Sequence, residues 1–226
     1  MKINKQSLEE QAADYLRQQI LAGAFVSGDK LTESTLAKDL ELSRTTVRMA
    51  LNTLASEGLV SQKPYAGWSV TTLSGHDIWE IYHLRVALES QAAMMAAETI
   101  NDEKAKRLRD ELAAFQAICK RKDVSLAEVT LCDFKLHKLI IELSESDRLA
   151  RMYKSVINQL SIYIRITHFD FDIESSADTH IDLINAICAG EPEKARRLAI
   201  ENISTFTEMG QKLKIEQDHT SDFAAS

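Results

Sequence analysis

From Ser7 to Ala22 the chain reads SLEEQAADYLRQQILA, and Leu8, Ala12, Tyr15, Leu16 and Ile20 return at three- and four-residue intervals. That is the period of a helix with one buried stripe. Ser7, with Glu10 three positions on, predicts a capping box, and Gly23 predicts the stop. After the turn Ser27-Gly28-Asp29, Thr32 predicts the cap of a second helix with Leu36, Ala37 and Leu40 inward. Glu41-Leu42-Ser43 then connects tightly to a third, whose buried side is Val47, Ala50, Leu51 and Leu54 and whose end is Glu57-Gly58. Beyond it the period shortens. Leu59–Lys63 and Trp68–Thr72 are short runs rich in β-branched residues, separated by the turn Pro64-Tyr65-Ala66-Gly67. Three short helices followed by a hairpin predict a winged helix-turn-helix.

From about Asp77 the strand pattern does not return. Helices are expected at roughly 77–99, 102–121, 125–143, 146–168, 175–189 and 192–213. Asn101 is a natural cap, and Gly190 followed by Pro192 gives a stop and then a proline in the first turn. Six antiparallel helices with short loops make a bundle. The expected fold is therefore mainly α: residues 1–72 a winged helix-turn-helix domain, residues 73–226 an all-helical domain of about six helices. Trp68 and Trp79 flank the join and are expected to pack it.

Composition agrees. Two prolines and seven glycines in 226 residues favour long uninterrupted helices, and a 45% hydrophobic content is enough for a sizeable core. The three cysteines, Cys119, Cys132 and Cys188, are widely spaced in helical patterns and read as reduced thiols. No apolar run reaches the roughly 18 residues of a membrane span, and MKINKQSLEEQ lacks a signal-peptide core, so a cytoplasmic, non-membrane protein is expected.

Charge changes the picture because it is uneven. The whole chain carries −7, yet residues 1–72 hold eight Lys/Arg and eight Asp/Glu, and the remainder carries the excess of acid. Between Leu42 and Lys63 there are three basic residues and one acidic one. In a helix-turn-helix the second helix enters the major groove with its first turns toward the bases. Arg44 and Arg48 are one turn apart and share a face opposite Val47, Ala50 and Leu51. An arginine fork matches guanine O6 and N7, or a phosphate. Ser43, Thr45 and Thr46 are short donors suited to phosphate oxygens. In the wing, Lys63 can reach phosphate and Gly67 lets the backbone come close to DNA.

These residues carry a resemblance. Gly28-Asp29-Lys30-Leu31-Thr32-Glu33, Leu36-Ala37, Leu42-Ser43-Arg44-Thr45, Val47-Arg48, Ala50-Leu51, Leu54, Glu57-Gly58-Leu59-Val60, Gly67 and Val70 are similar to the GntR family of bacterial transcription regulators. Two positions depart: the family often has proline at Thr46 and glutamate at Met49. Residues 73–213 resemble the FadR-like all-helical effector domain called FCD, through Leu84-Arg85, Leu88-Glu89, Asp133-Phe134, His137, His180, Ile184, Ala189-Gly190-Glu191-Pro192 and Ala195. The resemblance implies a homodimer on a two-fold double-stranded DNA operator, with affinity altered by a small molecule.

Asp133 and His137 are four apart on one predicted helix, so both can meet one ion, and a carboxylate with an imidazole suits zinc, nickel, manganese or iron. The same spacing also suits a plain Asp–His hydrogen bond. Metal-binding members of the resembled family use one Asp and three His. Asp133, His137 and His180 match three of those positions, and Asn202 stands at the fourth as a weaker ligand. His83 and His168 are other imidazoles that nothing in the spacing selects. Arg85, amid Ile81, Leu84 and Leu88, needs an anion. Glu89 at i+4 supplies one; the carboxylate of an effector lying over the metal is the other reading, and Arg165 can serve similarly. Metal plus arginine favours a small organic acid as effector.

Two further functions compete. Three ligands with an open position also describe a catalytic metal site, hence a metal-dependent enzyme acting on a small organic acid. The sequence shows no general base or nucleophile beside it, and this reading leaves the winged helix unexplained. The third is a protein-docking module, which salt-dependent, sequence-specific DNA binding would exclude.

Overall fold

Ser7, Ser43, Ser74, Asn101 and Ser125 each turn an extended residue into a helix start by accepting a hydrogen bond from the backbone three residues on. In a computed structural model describing residues 6–63, 65–164 and 173–203, these caps open five of the helices. The elements run α1 (Leu8–Ala22), β1 (Lys30–Leu31), α2 (Glu33–Asp39), α3 (Arg44–Ser56), β2 (Val60–Lys63), β3 (Gly67–Val70), α4 (Gly75–Glu98), α5 (Asp102–Cys119), α6 (Leu126–Leu143), α7 (Asp147–Ile164) and α8 (Ile181–Cys188). A further helix, α9, covers 192–203 of the described residues. Among the described residues, contacts group those up to Leu73 with α7 from Lys154 into one compact unit, and Ser74–Tyr153 with 173–203 into a second.

In the first unit the apolar stripes of α1 and α3 face each other. Ala13, Leu16, Val47, Ala50, Leu51 and Leu54 are almost wholly buried. The sheet adds Leu31, Val60, Trp68 and Val70 to this core. Its order is β1-β3-β2, all antiparallel, with Leu31 opposite Trp68 and Lys63 opposite Gly67. The two-residue β1 is not visible in the sequence, because it is defined by pairing with a strand some forty positions away. Trp68, expected at the join between domains, is a core residue of this unit at 5% exposure. Gly67 has φ +77°, and open space lies where a Cβ would stand.

The last turn of α3 is anchored by Glu57. Arg17 reaches its carboxylate through Nε at 2.6 Å and Nη2 at 2.9 Å, and Lys154 Nζ lies 2.6 Å away. Burial by itself would raise the Glu57 pKa; these cations hold it below the usual value. Leu51, at 0% exposure, locks the underside of α3. Leu51→Ala is expected to destabilise this unit by about 2–5 kcal/mol, the range for leucine truncation in a tight core, read as a lower midpoint in urea.

In the second unit α6 packs on α4 and α5, and α8 packs on the same two helices. Leu108, Phe115, Leu136, Leu183, Ile184 and Ile187 fill the space between them. The helix expected at 175–189 begins later: a turn leads into one 3-10 turn, Asp178–His180, and α8 follows. α4 begins at Gly75, two residues before the expected start, because Ser74 and Asp77 form the capping box. The cysteines are free thiols, Cys119 buried and the others half-buried, and burial raises the pKa of all three.

Candidate nucleic-acid interface and candidate metal centre

Ser43 caps α3, its Oγ accepting from Thr46 N at 3.0 Å and pairing with Thr46 Oγ1 at 2.8 Å. That fixes the first turn of the helix, with Arg44 and Thr45 exposed on it. One turn on, the Arg48 side chain is 60% exposed. Its guanidinium is held by Glu33, the first residue of α2, with Nε 2.9 Å from Oε1 and Nη2 2.7 Å from Oε2. Trp68 Nε1 donates to the same Oε1 at 3.1 Å. The hydrogen bond from Arg48, before that from Trp68, keeps Glu33 below the usual carboxylate pKa. Lys63 and Gly67 pair with each other at the turn end of the β2–β3 hairpin, and both are exposed. Between them Tyr65 is fully exposed at φ +63°. Glu33 had no role assignable from sequence, since it lies fifteen residues from Arg48.

In the second unit α6 presents Asp133 and His137, and the 3-10 turn presents His180. The two imidazole Nε2 atoms are 3.1 Å apart. Asp133 Oδ1 lies 3.2 Å from that of His180 and 3.7 Å from that of His137. Both histidines are 3% exposed. Each has its other ring nitrogen occupied: His137 Nδ1 is 2.6 Å from Glu89 Oε2, and His180 Nδ1 is 3.2 Å from the Ser176 carbonyl. The Glu89 carboxylate and the Ser176 carbonyl only accept, and Thr179 Oγ1, 3.1 Å from His180 Nδ1, already donates to that carbonyl, so both Nδ1 atoms carry the proton. Three lone pairs therefore converge on one small space, and neutral imidazoles there repel unless a cation lies among them.

A proton or a metal ion can supply that charge. Burial lowers the pKa of His137, but the charges of Glu89 and Asp133 outweigh it and hold the imidazole above its ordinary value. Asp133 is pushed well below the usual range; burial opposes this, and His137, His180 and Arg85 override it. The donor set fits a divalent metal: two imidazoles and a carboxylate, with separations like those of ligands each about 2 Å from one ion. A carboxylate behind a metal-facing histidine, as Glu89 stands behind His137, is the usual second layer of such sites.

Arg85 lies behind Glu89, 2% exposed, with Nε 2.6 Å from Oε1 and Nη2 3.4 Å from Oε2. The Glu89 partner expected at i+4 is in place. Tyr153, with no sequence signal to mark it, is buried in the same region beside Glu89. Burial and then the charge of Glu89 raise its pKa well above the usual value. Asn202 Nδ2 donates to the Thr179 carbonyl at 3.2 Å, one residue before His180. His83 instead meets the rings of Trp79 and Tyr82. Trp79 itself is 46% exposed. Arg165 and His168 lie outside the described residues.

A winged helix-turn-helix followed by an all-helical unit with a polar buried centre is the layout of a DNA-binding transcription regulator. Residues 8–70 match the family model "Bacterial regulatory proteins, gntR family", and residues 80–205 match that of the FCD domain. The chain belongs to the GntR family of bacterial transcription regulators and carries an FCD domain. It is 23% identical over 205 residues to the probable D-xylose utilization operon transcriptional repressor of Paenarthrobacter nicotinovorans, covering 91% of this chain and 89% of that one. Over 215 residues it is 23% identical to the HTH-type transcriptional repressor RspR of Escherichia coli, covering 93% and 92%. The solved structure of E. coli McbR/YncC shares the fold with a TM-score of 0.76 at 22% identity, covering 93% of this chain and all of that one. Among the described residues no helix is long and apolar enough to cross a membrane.

Proposed function

We propose that this chain is a cytoplasmic, ligand-responsive repressor that binds a two-fold operator as a homodimer. Residues 1–72 read DNA and residues 73–226 dimerise and sense a small carboxylate. The observation that carries the reading is the face of α3: Arg44 and Arg48 exposed, one turn apart, above an underside of Val47, Ala50 and Leu51 at 0% exposure. Ser43, Thr45, Thr46, Lys63 and Gly67 surround that face as phosphate or close-approach positions. Two relatives named as repressors support the sign of regulation.

Asp133, His137 and His180 would hold a divalent transition metal such as zinc, nickel, manganese or iron. Bound there, it supplies a Lewis-acidic anchor for a carboxylate oxygen. An amide ligates through oxygen, so Asn202 can join only by its Oδ1; its nitrogen steadies the turn that carries His180. Arg85 serves by fixing Glu89, and through it the ring of His137; Arg165 remains a proposed effector contact. We read the centre as a sensor rather than a catalytic site because its nearest polar groups are already committed to orienting the ligands.

Two measurements test this. The full chain should enrich a specific sequence from a pool of randomised duplexes; enrichment of none would refute the DNA-reading role. The chelator-treated chain should melt higher when zinc or nickel is added, by about 2.7 kcal/mol at a hundredfold excess over Kd. His180→Ala should abolish that response. An unshifted wild-type melt with all four metals would refute the metal centre.

A further inference from the structure

A carboxylate among DNA-facing arginines is unexpected, since it repels the phosphates on which binding depends. Glu33 is such a group. It also ties three elements together: standing on α2, it accepts two hydrogen bonds from Arg48 of α3 and a third from Trp68 of β3. We infer that Glu33 is a positioning residue for sequence reading: it grips one edge of the Arg48 guanidinium so that the opposite edge meets a base pair. This rests on the DNA-reading role proposed above.

Arginine presents five N–H donors in a rigid plane. Glu33 engages two of them, at Nε and Nη2, which leaves three free of it, one on Nη2 and two on Nη1. The end of the fork, one Nη1 and the outer Nη2 hydrogen, still offers the bidentate pair that guanine O6 and N7 accept. An exposed arginine normally searches many rotamers and loses that freedom on binding. Held by Glu33, it loses the freedom before DNA arrives. An ordinary surface ion pair would not do this, because both partners would move together. Here the carboxylate is itself tied to the indole of Trp68, which is 5% exposed and packed in the core of this unit.

The second consequence concerns wrong sequences. On a non-cognate duplex Arg48 finds no guanine edge, and Glu33 still faces the phosphates. The carboxylate therefore lowers non-specific affinity while costing little at the cognate site, so it widens the gap between the two.

The test uses the full chain and the duplexes that wild type enriches from a randomised pool, with the unenriched pool as the non-specific probe. Binding to both is measured over a salt series. For Glu33→Gln the ratio of enriched to pool affinity should fall about tenfold, the scale of one bidentate base contact. Pool binding should hold or tighten, with a salt slope steeper by up to about one charge per protomer. Damage to the fold alone would instead weaken both. Arg48→Lys, which keeps the charge but not the fork, should lower the ratio similarly. Adding Glu33→Gln to it should then change the ratio no further. Should Glu33→Gln fail to fold, Trp68→Phe removes the anchoring N–H together with part of the indole's packing, and in the folded variant the ratio should fall several-fold while pool binding holds. An unchanged ratio in the folded Glu33→Gln protein, or an equal fall in the Arg48→Lys background, overturns the inference and leaves DNA reading intact. Failure of wild type to enrich any sequence overturns both.

Discussion

Arg48→Ala is expected to weaken binding to the enriched duplex by about 30-fold to 10⁴-fold, with little change in stability. A bidentate arginine–guanine contact is worth about 1–3 kcal/mol of discrimination, and a two-fold complex holds two of them, hence about 2–6 kcal/mol. The stability side follows from exposure. The Arg48 side chain is 60% exposed, and truncating it takes from the fold an ion pair with Glu33 that solvent screens heavily. A gel shift with enriched duplex reads the first number and a circular-dichroism melt reads the second. Retained affinity would show that α3 does not read DNA through this residue. A collapse of the melt would show that the Arg48–Glu33–Trp68 cluster holds the fold together.

The largest stability effect is expected at Glu89. Glu89→Ala removes the carboxylate from the buried Arg85 and the acceptor from His137 Nδ1. Breaking one side of a buried ion pair costs about 3–5 kcal/mol, because the remaining charge stays in a low-dielectric place. Loss of the carboxylate behind a metal-facing histidine costs a further 10- to 100-fold in metal affinity. The two effects separate in the double variant Arg85→Met with Glu89→Leu. Removing both charges should recover much of the stability in urea, while metal affinity stays low. Recovery of metal affinity as well would show that Glu89 does not orient His137.

Acid should expose the same pair in the wild type. Burial by itself raises the Glu89 pKa, yet Arg85 and His137 bring it down to about 2. A folded pKa below the unfolded value of about 4.3 means stability that is complete above pH 4.3 and is lost as pH falls toward 2. Wild type should lose urea stability steeply across that window, and the double variant should lose less. Equal slopes would mean that other carboxylates dominate the acid limb.

Much of this architecture is local, and local features are legible. The capping boxes at Ser7, Ser74 and Ser125 span four residues, the helical stripes repeat every three or four, and the β2–β3 hairpin is closed by its own turn. Each is decided by short-range hydrogen bonds and by which side chains avoid water, so neighbours in sequence suffice to predict it. The Asp133–His137 pair was visible for the same reason: one helical turn brings both to one face.

Tertiary structure decided what passes between elements. β1 exists only through its partner β3, and Trp68 turned out to be core because it joins the buried apolar cluster of α1 and α3. His180 meets His137 across 43 residues, and Glu33 meets Arg48 across fifteen. Tyr153 joins the buried centre from α7 with nothing in its own neighbourhood to mark it. By itself the sequence determined a winged helix-turn-helix, a helical body, an arginine face and one Asp–His pair on a helical turn. It could not determine which carboxylate faces which cation, because that choice is made by the packing of helices whose order in space is not written in their spacing.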